Sequence, residues 1–171
     1  MPNHVYCIDI DSSREAVWQA LTDFGGASWI PKVVSTEAVS DEQRGVGAEQ
    51  RIKHLILPPH SKRVMSWSDA QRVEVRYVGL PEQIASMSEN WWLADQKGLI
   101  TVTVDQHYEL NLGEAIMNIV PFVQDALKQD LFEALAGLKH YVETGDPTTS
   151  DFIQMAATEL REGYTSTIRP A

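Results

Sequence analysis

The sequence predicts one α+β domain in which a curved antiparallel sheet of about seven strands packs against a long C-terminal helix. Three observations indicate this fold class: a short strand and helix open the chain, strand-like segments fill residues 32–110, and a helical apolar pattern follows them. No helical stretch in the middle is long enough to connect parallel strands, so we expect an antiparallel meander. A long helix across such a sheet can leave an apolar hollow for a small molecule.

The first strand is predicted at residues 5–10 and a helix at residues 14–24. Ser12 or Ser13 can cap this helix, because a side-chain oxygen accepts a hydrogen bond from a free N–H of the first turn. Apolar side chains recur along the helix at helical spacing, at Val17, Trp18, Leu21 and Phe24. Residues 28–31 complete a short helix pair, or form a turn, since the proline at their end cannot extend a helix far.

Six further strands are predicted between the two helical regions, each bounded by polar, glycine or proline residues. They cover residues 33–39, 48–57, 63–68, 72–78, 87–94 and 100–110. The last strand alternates most clearly. Its even-numbered residues from Val102 to Leu110 are expected to face the core, and its odd-numbered residues from Thr101 to Glu109 are expected to face water.

The closing helix is predicted from a wide apolar stripe at helical spacing. Pro121 would break a continuous helix, so we expect a short helical turn before it and a main helix over residues 121–143, or else a kink. Residues 1–144 then form one domain. Residues 145–171 form a tail with a short helix at about residues 150–162.

Composition excludes several function classes. The net charge is −10, with 14 basic and 24 acidic residues and no basic block, which argues against nucleic-acid binding. No run of about 18 apolar residues and no secretion signal is present, so we expect no membrane insertion and a cytoplasmic location. Cys7 is the single cysteine and the five histidines lack metal-ligand spacing, so we expect no metal and no other cofactor.

The order and spacing of several short motifs resemble those of a known protein family. The motifs are Val17-Trp18 with Leu21-Thr22-Asp23-Phe24, Trp29-Ile30-Pro31, Gly45-Val46-Gly47 leading to Arg51, Asp69 before Arg72 and Tyr77, Thr101, and Leu135 through Lys139. Over about residues 4–144 the chain resembles the START-type, polyketide cyclase/dehydrase-like (SRPBCC) superfamily, which includes birch-pollen-allergen-like carriers. The resemblance implies a helix-grip fold, with the sheet wrapped around the final helix and enclosing a hydrophobic cavity. Where that family often has a Glu-Arg pair this chain has Lys62-Arg63, so no role of that glutamate is carried over.

A cavity of this kind needs apolar and aromatic walls with a few polar groups that orient the ligand. The ligand-binding candidates are Trp29, Arg51, Tyr77, Trp91, Gln106, Tyr108, Phe122, Leu127 and Leu131. Ordinary core packing is the alternative for each aromatic residue. Periodicity leaves open which face of the strand at residues 48–57 points inward. Similar proteins more often point the face of Arg51 inward, which implies that Arg51 anchors a carboxylate or polarises a carbonyl; a solvated arginine is the alternative.

If the protein is an enzyme, the resemblance implies a cyclase or dehydratase of the polyketide cyclase type. The catalytic candidates are then Arg51, Tyr77, Glu89 and Tyr108. Glu89 shares the strand parity of Trp91, so it is either a buried carboxylate with a raised pKa or a surface glutamate. His54 could act as a general base only if its face of the strand points inward.

Two function classes follow. The first is a carrier or sensor that binds a hydrophobic small molecule, of lipid, aromatic or polyketide-like type, between the sheet and the C-terminal helix. The alternative is a cofactor-free polyketide cyclase or dehydratase that uses polar residues of the cavity. We expect the small molecule as the partner and no binding of nucleic acid. The sequence leaves open whether the protein forms a homodimer. A third, weaker hypothesis is a protein-interaction module that docks through Phe152 and Leu160 of the tail.

Overall fold

The computed structural model describes residues 3–26, 28–111, 113, 120–148 and 167–171. The helices and strands of this part are β1 (Asn3–Ile10), α1 (Arg14–Thr22), β2 (Val33–Ala38), β3 (Glu49–His54), β4 (His60–Ser68), β5 (Arg72–Val78), β6 (Ile84–Gln96), β7 (Leu99–Leu110), α2 (Val120–Thr144) and β8 (Arg169–Pro170). The strands form one sheet in the order β2-β3-β4-β5-β6-β7-β1-β8, and each neighbouring pair is antiparallel. The predicted fold class is confirmed.

The first helix begins where the serine pair predicts. The Ser13 hydroxyl accepts a hydrogen bond from the N–H of Ala16 at 3.2 Å, which satisfies one of the free donors of the first turn. The helix ends at Thr22 rather than at residue 24, because the Asp23 carboxylate accepts the next N–H groups and turns the chain. Residues 28–32 form turns, so the second member of the predicted helix pair is a turn and not a helix.

The first strand extends the meander, because β1 pairs with β7 along its whole length. Most predicted strands are found within a few residues of their predicted bounds, but β4 begins at His60 and β6 extends from Ile84 to Gln96. His60 follows two prolines and already pairs with Ile52 of β3. The prolines therefore belong to the connecting loop, and the three residues after them are already strand.

The closing helix α2 starts at Val120, so Pro121 lies in its first turn. A proline is tolerated there because its missing N–H has no partner within the helix. The helix is continuous to Thr144 and buries Leu127, Leu131, Leu135, Gly137 and Leu138 against the sheet and α1. The turn expected before Pro121 falls outside the described residues. Within the described ranges, no helix is long and apolar enough to cross a bilayer.

The end of the chain returns to the sheet. Arg169 and Pro170 pair with β1, and the Arg169 guanidinium donates to both carboxylate oxygens of Asp9 at 2.8 and 2.9 Å. Ile168 joins the main hydrophobic core. The short helix predicted at residues 150–162 lies outside the described residues, and β8 was not predicted from the sequence because it is only two residues long.

The outer face of β7 is less exposed than its alternation predicts. Thr101 and Thr103 are 7% and 5% exposed, so the expectation that they face water is wrong. The Thr101 hydroxyl lies 2.7 Å from an oxygen of Asp9, the carboxylate that also binds Arg169. Polar groups on this face of the sheet therefore pair with one another.

A tight contact holds the loop of residues 28–32 against α2. A Cβ added at Gly137 would overlap the carbonyl oxygen of Trp29 and lie 3.0 Å from the ring of Pro31. Lys32, with a positive φ of 64°, reaches the same helix and forms salt bridges of 2.6 Å with Asp130 and 2.9 Å with Glu133. These contacts place Trp29 over the inner face of the sheet.

Candidate ligand-binding site

A cavity lies between the inner face of the sheet, the loop of residues 28–32 and the first half of α2. Its volume is about 80 Å³. An engineered protein cavity of about 150 Å³ holds benzene. The cavity is therefore smaller than one that holds a benzene ring, and a ligand of one ring or more requires its walls to move apart.

Seven of the residues predicted for the site line this cavity. They are Trp29, Tyr77, Glu89, Trp91, Gln106, Leu127 and Leu131. They come from the loop, from β5 to β7 and from α2, so the fold brings together residues that are more than 100 positions apart in the chain. The other cavity residues include Lys62, His54, His60 and Asp130, which are described below.

Arg51 does not line the cavity. Its side chain is 60% exposed and lies 3.6 Å from Glu37 of the neighbouring strand, while Gln50 and Ile52 on either side of it point inward. The expectation taken from similar proteins, that the Arg51 face of the strand points inward, is therefore wrong for this chain. The inward face carries the uncharged side chains, which lose less on burial than a guanidinium would.

Two other predicted residues lie outside the cavity. Phe122 is 75% exposed, because it precedes Leu127 by five residues and so lies about 140° around the helix from it. Tyr108 is fully buried but packs in a second cluster with Ile84, Met87 and Leu127. Its hydroxyl lies 3.2 Å from Nε2 of His4.

Glu89 is the centre of a buried polar cluster. The Trp91 indole N–H donates to its Oε2 at 3.0 Å, and the Gln106 amide N–H donates to its Oε1 at 3.1 Å. The Lys62 ammonium lies 3.5 Å from Oε2. The side chains of Lys62 and Glu89 are only 13% and 5% exposed, so this is a buried ion pair.

The neighbours of Glu89 decide its charge. Burial by itself raises the pKa of this carboxyl, but the positive charge of Lys62 and hydrogen bonds from Trp91, Tyr77 and Gln106 outweigh it and lower the pKa below its ordinary value. Glu89 is buried, as one of the two alternatives predicted, but the raised pKa expected with that burial is wrong. At neutral pH it is an anion that accepts hydrogen bonds.

Tyr77 lies beside both Lys62 and Glu89. Burial raises the pKa of its phenol well above the ordinary value, and the negative charge of Glu89 and a hydrogen bond to it raise the pKa further. The Lys62 ammonium lies 4.8 Å from the centre of the Tyr77 ring, where the ring face attracts a cation. Tyr77 is therefore a hydrogen-bond donor at physiological pH.

Sequence reasoning missed Lys62 as a site residue. The predicted strand started at residue 63, which left Lys62 in a loop, whereas β4 starts at His60 and points His60, Lys62 and Val64 to the same face. The alternation of these three residues with Ser61 and Arg63 was the available signal.

Gln106, which lines the cavity, has one unpaired polar atom. The residue is 3% exposed, and its Oε1 is buried without a hydrogen-bond partner among the described residues. The orientation of the amide follows from chemistry, because the side facing the Glu89 anion has to be the N–H side. Oε1 is therefore an acceptor, on a residue that lines the cavity, that no described protein group uses.

The two histidines of the cavity are held in opposite tautomers. Nδ1 of His54 accepts from the N–H groups of Ile56 and Leu57 at 3.2 and 3.1 Å, so the proton of the neutral ring is on Nε2. Nδ1 of His60 lies 2.9 Å from the carbonyl oxygen of Pro58, to which it can only donate, so its Nε2 carries the lone pair. Burial is the main cause that lowers both pKa values, and both rings are therefore neutral at pH 7.

The aromatic wall of the cavity is fixed by hydrogen bonds. Trp29 and Trp91 meet edge to face, with ring centres 6.1 Å apart. The Trp29 indole N–H donates to the carbonyl oxygen of Ala20 at 2.8 Å, and that of Trp91 binds Glu89. A second hollow of about 20 Å³ shares both tryptophans and Lys62 with the main cavity, so a shift of this pair would join the two spaces.

The chain matches one family by sequence. The sequence model of the family described as polyketide cyclase/dehydrase and lipid transport matches residues 3–143 of this chain. No curated protein matches the chain. Among the residues that the structure describes, no group of three or more His, Cys, Asp or Glu side chains is arranged to hold a metal ion.

Solved structures of low sequence identity share the fold. The di-domain ARO/CYC BexL from the BE-7585A biosynthetic pathway is 18% identical over 84% of this chain and 47% of BexL, with a TM-score of 0.69. The chain thus spans about half the length of BexL. The Zhui aromatase/cyclase from a Streptomyces species is 14% identical over 83% of this chain and 93% of Zhui, with a TM-score of 0.67. Ara h 8.0201 is 15% identical over 82% of this chain and 98% of Ara h 8.0201, with a TM-score of 0.64.

Proposed function

This chain belongs to the polyketide cyclase/dehydrase and lipid transport family, and we propose that its cavity binds a small, mainly apolar molecule as a carrier or sensor. The observation that supports this proposal is a cavity whose aromatic and aliphatic walls carry a few polar side chains. Such a cavity binds apolar groups by removing them from water, and its few polar groups fix their orientation.

The apolar and polar lining residues have different roles in this proposal. Trp29, Leu127 and Leu131 provide apolar surface. Lys62 and Gln106 provide one donor and one acceptor beside the anion of Glu89. A molecule with an apolar body and one polar group matches both kinds of lining.

The first test is whether the protein holds or selects an apolar molecule. We expect native mass spectrometry of purified protein to show a retained small molecule, or a panel of lipids and aromatic compounds to yield a binder that changes tryptophan fluorescence. Trp29 and Trp91 line the cavity, so their emission reports occupancy. Absence of binding across the whole panel would contradict the proposal.

The second test fills the cavity with a side chain. Ala134 lines the cavity from α2, whereas Ala126 is exposed on the same helix. We expect Ala134→Trp to weaken binding of a selected molecule at least about tenfold, which corresponds to about 1.4 kcal/mol. Ala126→Trp should leave the dissociation constant unchanged. Equal binding by both variants would place the molecule elsewhere.

Proton-transfer chemistry of the cyclase or dehydratase type is a second candidate function, favoured by the neutral His60. Its tautomer leaves Nε2 able to accept a proton. Of the catalytic candidates predicted from the sequence, Tyr77 and Glu89 line the cavity with it, whereas Arg51 and Tyr108 do not.

The supported step is removal of a proton from a carbon next to a ligand carbonyl. The C–H bond breaks, an N–H bond forms at Nε2 of His60, and the electron pair moves to the carbonyl oxygen to give an enolate. The Lys62 ammonium or the Nε2–H of His54 can stabilise that oxygen.

Deuterium exchange tests this step without knowledge of the natural substrate. We expect the protein to speed exchange of the methyl protons of acetophenone in D₂O, followed by proton NMR, and His60→Gln to reduce the added rate about 100-fold. His107→Gln changes a histidine outside the cavity and should have no effect. If the wild-type protein gives no added exchange, the enzymatic candidate fails and the binding proposal stands.

A further inference from the structure

Building on the proposed function, we propose that the ligand is uncharged at pH 7 and donates an O–H or N–H hydrogen bond to Oε1 of Gln106. Alcohols, phenols and amides belong to this class, whereas carboxylates such as fatty acids do not. Gln106 is then the residue that selects the ligand.

The first support is the unpaired oxygen itself. Gln106 is held by β7, and its amide N–H is already used by Glu89, so the side chain cannot turn its Oε1 toward another protein donor without breaking that bond. A buried acceptor without a partner destabilises the protein by about 1–3 kcal/mol. A ligand donor that reaches Oε1 removes this penalty, whereas an apolar group in the same place leaves it.

The second support is the balance of charge around the cavity. The Lys62 charge is balanced by Glu89, and Lys32 faces both Asp130 and Glu133. Two ammonium groups thus face three carboxylates. His54 and His60 add no positive charge at pH 7, because burial, the main cause, lowers their pKa values. A ligand carboxylate would add a further negative charge to a weakly solvated site that already has an excess of one.

The inference is tested with three one-ring probes of similar shape: p-cresol, p-xylene and 4-methylbenzoate. Their dissociation constants at pH 7 are measured by NMR titration of the tryptophan indole N–H signals. We expect p-cresol to bind at least about tenfold tighter than 4-methylbenzoate, and no weaker than p-xylene although p-xylene is more hydrophobic.

A pair of variants assigns the preference to Gln106. Gln106→Met keeps the length of the side chain and removes the acceptor, so the ratio of p-cresol affinity to p-xylene affinity should fall about tenfold. Gln50→Met is the matched control, because Gln50 is also a buried glutamine on the inner face of the sheet but donates to the carbonyl oxygen of Phe24 and lies outside the lining of the main cavity. It should leave the ratio unchanged.

The outcomes separate the inference from the proposed function. Tightest binding of 4-methylbenzoate, or a ratio unchanged in Gln106→Met, overturns the inference and leaves an apolar site in place. If p-cresol does not bind but longer apolar molecules do, the inference fails and the proposed function stands. If nothing binds in either experiment, both fail. If Gln106→Met does not fold, the relative affinities of the wild-type protein for the three probes still test the inference.

Discussion

Replacing Lys62 by methionine is expected to lower the free energy of unfolding by about 3 kcal/mol at pH 7.5. Methionine keeps the length of the side chain, but it leaves Glu89 as a buried anion without its counter-charge. Removing one partner of a buried ion pair typically costs about 3–5 kcal/mol, and the lower end applies here because Trp91 and Gln106 still donate to the carboxylate.

The pH dependence of this loss identifies its cause. In the wild-type protein the pKa of Glu89 is lowered, so its contribution to stability is present above its unfolded-state pKa and is lost as the pH falls through the folded-state pKa. Without Lys62, we expect burial to outweigh the remaining hydrogen bonds and to raise the pKa of Glu89 above the unfolded value. The contribution is then favourable at low pH and is lost as the pH rises. The deficit of Lys62→Met should therefore be smaller at pH 4.5 than at pH 7.5.

Urea unfolding at the two pH values measures the effect. The double variant Lys62→Met with Glu89→Gln should recover part of the loss at pH 7.5, because glutamine carries no charge. Lys53→Met changes an exposed lysine on the neighbouring strand and should alter stability by no more than about 0.5 kcal/mol. An equal deficit at both pH values would show that Lys62 acts through packing and not through the charge of Glu89.

Gly137→Ala is expected to destabilise the protein by about 2 kcal/mol. In an ordinary helix interior this change stabilises by about 1 kcal/mol. Here the new Cβ would overlap the carbonyl oxygen of Trp29 and press on Pro31. A backbone carbonyl cannot rotate away as a flexible side chain can, so the loop has to separate from α2. The overpacking cost, at the upper end of about 1–3 kcal/mol, exceeds the propensity gain by about 2 kcal/mol.

Chemical denaturation and the tryptophan emission spectrum measure this prediction. A loop that moves away from α2 also exposes Trp29, so a red shift of the emission should accompany the loss of stability. Ala126→Gly at an exposed position of the same helix calibrates the propensity, and it should cost about 1 kcal/mol. A Gly137→Ala protein that is as stable as the wild type would mean that the loop adapts without cost.

The strands and the closing helix were predictable because their patterns are local. The alternation of Val102, Val104 and Gln106 and the helical spacing of Leu127 and Leu131 each follow from one-sided burial. The exact starts of the strands were less predictable. His60 follows two prolines, and only its pairing with β3 shows that the strand has already begun.

The candidate site was predictable where residues share a clear strand parity. Trp91 and Gln106 were expected to face the cavity and do line it, and Glu89, for which the sequence left burial and exposure open, lines it as well. The inward face of β3 was not predictable, since Arg51 and Gln50 are both compatible with the pattern. The buried position of Lys62 depended on a strand start that the sequence placed three residues too late.

Periodicity and short motifs were sufficient to predict an antiparallel meander, a long helix packed across it and the polyketide cyclase/dehydrase family, because they are properties of neighbouring residues. The charge of Glu89, the tautomers of His54 and His60 and the unpaired oxygen of Gln106 became known from the three-dimensional contacts alone. Each of these depends on atoms brought from other strands and loops. Protonation and hydrogen bonding in a buried site are set by those neighbours and not by residue type.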